Sequence, residues 1–289
     1  MIKKSEINKI AQSLNVRTST IDKDWVLGHF IDAIFSIPEC RSSLIFKGGT
    51  CLKKCRFPNY RFSEDLDFTS TQADFVLTRE LLDKIVTLVK ERTGMPLYIA
   101  SLETLQFENQ LTGYAAHIKF WGADHRQDQT PPEPSRWTSS IKIEIILYEQ
   151  MVFPSENKGI THQYSDSLTH SGEGIPCYDL KEVLAEKLRA LIQRSYTAPR
   201  DYYDIWYLSQ HNPDLDWDAI VAAFQQKMQF KGLSFNGIDQ MLNEANDKIL
   251  KKAWKNSLEH QITSGELPTY ETVKQDLLNL FERIFAGKS

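Results

Sequence analysis

Apolar residues in this chain follow two spacings. Long stretches repeat about every 3.6 residues, as one face of a helix does; shorter runs alternate or stay continuously apolar, as strands do. Ile7, Ile10, Ala11 and Leu14 mark a first helix, with Ser5 placed as its cap. Trp25, Val26, His29, Phe30, Ala33 and Ile34 predict a second helix over about 20–37. Leu44 to Lys47 reads as a short buried strand, residues 50–55 as a brief helix, and residues 66–69 as another strand. Phe75, Leu81, Leu82, Ile85, Leu88 and Val89 place a long helix over 73–92. Strands are predicted at about 97–107, 113–121 and 140–148, the last two joined by a polar, proline-rich loop. The stretch from Pro154 to Pro176 carries Gly159, Gly172 and Gly174 and is irregular, which makes it the candidate domain boundary. From Tyr178 onward the pattern is helical. The expected fold is α+β: N-terminal helices, a small mixed sheet, then a helical C-terminal domain.

Composition narrows the function classes. The chain has 289 residues, 41% hydrophobic and 25% charged, which is ordinary globular composition. A net charge of −4 does not advertise non-specific nucleic-acid binding, although Lys53, Lys54, Arg56 and Arg61 form a local basic cluster. No apolar run reaches the roughly 20 residues of a membrane span, and the N-terminus lacks the apolar core of a signal peptide. A cytoplasmic location with no membrane partner is expected. Cys51 and Cys55 stand at helical i,i+4 spacing, but no second pair in sequence completes a zinc pattern, so the four cysteines are read as reduced thiols.

The densest chemistry lies in FKGGTCLKKCRFPNYRFSEDLDF, residues 46–68. A glycine turn at Gly48-Gly49 lets backbone N–H groups approach a phosphate. Asp65 and Asp67 flank Leu66, and on a strand both carboxylates point to one face. Aspartate is depleted in strands. Two aligned carboxylates suit divalent cations that clamp a nucleoside triphosphate. The plain alternative is a solvated strand end. Ser63 can share that face or simply cap a turn. Lys142 and Glu144 share one face of a later strand, and Glu144 becomes a third carboxylate if that strand lies beside Asp65–Asp67; otherwise the two form an outward ion pair.

Farther on, Lys187 falls within the apolar stripe of Leu180, Leu184, Leu188 and Leu191. A buried ammonium needs an anion. A triphosphate, a protein carboxylate, or snorkelling of the side chain each answers that need. Pro199 opens a further helix, and Asp201 either serves its positive N-terminal end or points inward with Ile205 and Leu208. No P-loop, no Rossmann fingerprint, no H-E-x-x-H and no G-x-S-x-G occurs.

Together these residues resemble the nucleotidyltransferase toxins of the AbiEii/AbiGii type, from abortive-infection and toxin–antitoxin systems. The resemblance spans roughly residues 20–210. It rests on Gly48-Gly49-Thr50, on Arg61, Ser63, Asp65 and Asp67 in the R-x-S-x-D-L-D-F form, and on Lys142-x-Glu144. It continues with Lys187 and Ala190, and with Arg200, Asp201 and Asp204 as R-D-x-x-D. Glu144 departs from the family's aspartate.

The resemblance implies a polymerase-β-like nucleotidyltransferase core over 1–174, with a helical domain over 175–289 completing the nucleotide site. It implies transfer of an NMP from an NTP with Mg²⁺, or Mn²⁺ in its place, to the 3′ end of tRNA, and restraint by a cognate antitoxin protein. The implied catalytic set is Asp65, Asp67, Glu144, Lys187 and Asp201, with Asp65, Asp67 and Glu144 on the metal. The implied nucleotide contacts are Gly48, Gly49, Thr50, Ser63, Lys142, Arg200 and Asp204. Transfer to a protein or a small molecule, or a non-catalytic nucleotide-binding regulator, are the alternatives.

Overall fold

Phe68 shows why the sheet has one dry face and one polar face. Its ring lies 5.2 Å from that of Phe46 and 5.9 Å from that of Phe35, and it is fully buried, as is Leu66. Burying each such side chain stabilises the fold by about 1.5–3 kcal/mol. The intervening aspartates are thereby turned to the opposite face.

The computed structural model describes residues 1–125, 128–170, 172–262, 265 and 267–287. The chain divides into two compact units, one of Met1–Glu149 with Ser155–Cys177, the other of Gln150–Pro154 with Tyr178–Ser289.

The first unit holds α1 (Lys4–Leu14), α2 (Thr18–Phe35), α3 (Pro38–Ser43), β1 (Leu44–Lys47), α4 (Gly48–Cys55), β2 (Asp65–Ser70) and α5 (Arg79–Thr93). It continues through β3 (Leu97–Phe107), β4 (Gln110–Phe120), β5 (Ser140–Ile146), β6 (Glu156–Lys158) and β7 (Ile175–Cys177). The strands form one mixed sheet in the order β3-β4-β5-β2-β1-β7-β6. β2 is central, antiparallel to β1 and parallel to β5. α2 is buried over almost all of its surface. It is tied down by carboxylates: Asp166 accepts from Trp25 Nε1 at 3.0 Å and meets His29 and His162 at 3.0 and 2.9 Å. Asp32 accepts from Arg92 at 2.7 Å and from the backbone of Thr169 and His170.

The second unit holds α6 (Leu180–Gln193), α7 (Pro199–His211), α8 (Trp217–Phe230), α9 (Glu244–Leu258) and α10 (Tyr270–Phe285). Asp179, Asp216, Asn243 and Thr269 each cap a helix through a side-chain oxygen, and Pro199 opens α7.

The expected α+β class with a mixed sheet and later helices is what is found. Several boundaries differ. Ser5 lies inside α1, whose N-cap position is Lys3, without a side-chain bond. The helix expected from 73 starts at Arg79, because Thr78 accepts from Leu81 N and fixes the first turn there. α3 is six residues long, too short to show a period. β4 begins at Gln110, three residues earlier than expected, because Glu108 and Asn109 both adopt positive φ (48° and 63°) in a two-residue hairpin turn that carries no glycine signal. The stretch predicted to be irregular contains β6 and β7, each only three residues long. Of the predicted proline-rich loop, residues 126 and 127 lie outside the described residues.

Candidate functional site

Register, not sequence distance, assembles the polar face of the first unit. In the parallel pairing of β2 with β5, Asp65 stands opposite Lys142 and Asp67 opposite Glu144, while Leu66 and Phe68 stand opposite Ile143 and Ile145. The apolar partners are buried; the four charged residues are half-buried on the other face. Glu144 therefore joins Asp65 and Asp67, as the condition on strand adjacency required. Lys142 forms an ion pair with Glu144. Burial pulls the Lys142 ammonium down, but Glu144, Asp65 and Asp67 together outweigh that, and its pKa is raised. A cation placed here is thus stabilised by three carboxylates.

The glycine turn closes against this face. Gly48 has φ +79°, and a Cβ there would run into the Asp67 carboxylate. A Cβ on Gly49 would meet Ser63 Oγ at 2.9 Å and Arg61 Nη2 at 3.0 Å. Gly48 is thus required by both close approach and backbone conformation, whereas a side chain on Gly49 would displace Ser63 and Arg61. Thr50 donates to the Asp65 carbonyl at 2.5 Å and is buried. That bond holds α4 on β2.

The basic cluster expected on this segment is not an exposed patch. Lys54 is 3% exposed and pairs with Asp24 at 2.5 Å. Arg61 is 4% exposed. Arg56 pairs with Glu156 at 2.6 Å. Lys53 donates to the Pro58 carbonyl and lies over the Phe62 ring, and burial lowers its pKa to about 8 despite the attraction of Asp24. Lys54 and Arg61 are buried and Lys53 and Arg56 half-buried, so the cluster is packed into the first unit and does not form an exposed basic patch.

In the second unit, Lys187 on α6 meets Asp201 at 3.1 Å and Asp204 at 2.7 Å, both carboxylates on α7 and both buried. Arg194 reaches the other Asp201 oxygen at 2.8 Å. Of the three fates open to Lys187, the salt bridge to protein carboxylates is observed, and Asp201 points inward as its face suggested. Arg200, which precedes Asp201 on α7, is half-buried.

A family model for the nucleotidyl transferase AbiEii toxin of type IV toxin–antitoxin systems matches residues 29–276. The chain belongs to the AbiEii family. It is a nucleotidyltransferase toxin of a type IV system, and that membership implies an NTP substrate, a divalent metal and an antitoxin partner. Its fold is similar to that of MenT4, a nucleotidyltransferase toxin from Mycobacterium tuberculosis, with a TM-score of 0.63 at 15% identity over 98% of this chain and 90% of that one. It is similar also to JHP933 from Helicobacter pylori, with a TM-score of 0.53 at 15% identity over 94% of each chain. No curated protein sequence matches significantly. No described helix is long and apolar enough to cross a membrane.

For an AbiEii transferase, Gly48→Ala is a sharp local test. The substitution leaves the buried core alone, but it forces a disfavoured backbone region and displaces Asp67. Displacing a reacting-site group by about 1 Å can cost about 10²-fold in rate. The expected result is a loss of that order in NMP transfer, with the far-ultraviolet circular dichroism spectrum retained. Unchanged activity would show that the turn and Asp67 do not cooperate.

Proposed function

We propose that this AbiEii transferase moves an NMP from an NTP to the 3′ end of tRNA, with Mg²⁺ held by Asp65, Asp67 and Glu144. The observation that carries the reading is the three carboxylates gathered on one sheet face against the Gly48-Gly49 turn. An all-oxygen, carboxylate donor set suits Mg²⁺, or Mn²⁺ in its place, and the raised Lys142 pKa marks a place where positive charge is favoured. When bound, the metal would offset charge on the triphosphate and on the departing pyrophosphate.

The protein's own groups do the positioning. Gly48 and Gly49 present backbone N–H groups to phosphate oxygens, and Ser63 adds a hydroxyl. Thr50, whose hydroxyl is committed to the Asp65 carbonyl, positions β2 against α4. Lys142 pairs with Glu144 and orients its carboxylate. Lys187, Asp201, Asp204 and Arg200 stand at the family's later motifs, and the Lys187 ammonium is held between the Asp201 and Asp204 carboxylates within the helical unit. The cognate antitoxin would restrain the enzyme in the cytoplasm, in a system directed against phage.

Purified protein incubated with Mg²⁺, tRNA and each labelled ribonucleoside triphosphate in turn should label the RNA. Periodate oxidation of the tRNA destroys the terminal diol and should abolish labelling. Burial of the basic cluster favours a second acceptor class, a protein or a small molecule. Label that stays in protein or in small products, or that persists on oxidised tRNA, would replace the tRNA reading with that one.

A further inference from the structure

Away from the carboxylate face, the first unit gathers three cysteines that the transfer reaction does not use. Cys51 and Cys55 lie one turn apart on α4, and Cys177 ends β7, whose parallel pairing with β1 sets Cys177 beside Phe46. The three sulfurs all lie within 4.8 Å of one another. Cys51 and Cys177 are buried and Cys55 is half-buried. We propose that Cys51, Cys55 and Cys177 bind one zinc ion as a structural site that ties α4 to β7.

The chemistry favours this over the other two uses of clustered thiols. Zinc–thiolate bonds of about 2.3 Å in a tetrahedron need sulfurs about 3.8 Å apart, so the cluster reaches that geometry by small side-chain rotations. The Cys51-x-x-x-Cys55 spacing is within the range of structural zinc sites. Packing as small apolar side chains explains single buried cysteines but not the convergence of three from two distant segments. A disulfide would use two sulfurs and leave the third idle. Three thiolates and Zn²⁺ carry a net charge of −1, and Arg56 and Lys158 lie near enough to Cys177 to balance it. The half-buried side of Cys55 leaves access for a fourth ligand. Because α4 starts at Gly48, the ion would brace the helix that carries the glycine turn. The site is independent of the acceptor and of the carboxylate roles proposed above.

Metal content and spectroscopy test this without an activity assay. Full-length protein prepared under reducing conditions should carry zinc close to one per chain. Exchange for Co²⁺ should give the thiolate-to-cobalt charge-transfer bands and visible bands of a four-coordinate, sulfur-rich site. Cys177→Ser and Cys51→Ser should each lose both signals, whereas Cys40→Ser, which alters the remaining cysteine, should keep them. The proposal is overturned if reduced wild-type protein binds no zinc and shows no cobalt charge transfer, or if the bands survive Cys177→Ser. It is equally overturned if protein unfolded without reductant titrates two thiols fewer than the four cysteines, which would mark a disulfide.

Discussion

Asp67→Asn should lower NMP transfer on the order of 10³-fold or more while leaving the fold intact. The side chain sits on the polar face of the central strand, directly opposite Glu144 on β5 and Lys47 on β1, with the Gly48 turn against its carboxylate. The amide keeps the shape but removes a charge and, in the proposed site, one oxygen ligand of the metal. Each tenfold in rate is about 1.4 kcal/mol, and withdrawing one ligand from a metal that stabilises transferring phosphate costs several kcal/mol. The loss should appear in kcat, because the charge matters most as the pyrophosphate departs. Stability should change little, since Asp67 is half-buried and the dry side of β2 is carried by Leu66 and Phe68. Single-turnover kinetics beside thermal unfolding would separate the two. A variant retaining more than about a tenth of the wild-type rate would remove Asp67 from the catalytic set.

Asp67 also shows why part of this site could be read from sequence. A D-x-D flanking one leucine on a strand fixes both carboxylates to one face by the period of the strand alone. Glu144 was legible only conditionally, because strand adjacency is a long-range property. β2 and β5 are separated by a helix and a hairpin, and nothing local dictates their parallel register. The same limit hid Cys177 from Cys51 and Cys55. It belongs to a three-residue strand in a stretch whose glycines and short runs carry no alternation. Burial of the basic cluster was illegible for a different reason. Lys54 is accommodated by Asp24, which comes from α2, and no spacing within residues 53–61 reveals that partner. The amphipathic helices α6, capped by Asp179, and α7, opened by Pro199, were read closely, since their signals are local.

Lys227→Met should destabilise the second unit by about 3–5 kcal/mol, the largest stability effect expected from a single side chain here. Lys227 on α8 and Glu182 on α6 form an ion pair at 2.5 Å, and both side chains are fully buried. Glu182 also accepts the backbone N–H groups of Val152 and Phe153, at 3.0 and 2.8 Å, and Lys227 donates to the Gln150 carbonyl at 2.8 Å. The pair thus fastens the segment Gln150–Pro154 to α6 and α8. Methionine fills much of the lysine's volume, so the cost is dominated by the carboxylate left charged in an apolar interior, not by a cavity. That origin makes a second variant decisive. Adding Glu182→Gln removes the orphan charge yet keeps an acceptor for Val152 and Phe153. The double variant should therefore recover most of the lost stability, although it breaks two native groups instead of one. Urea titration read by hydrogen exchange in α6 and α8 measures both. If Lys227→Met costs less than about 1 kcal/mol, or if Glu182→Gln deepens the loss, the charge-burial account of this pair fails.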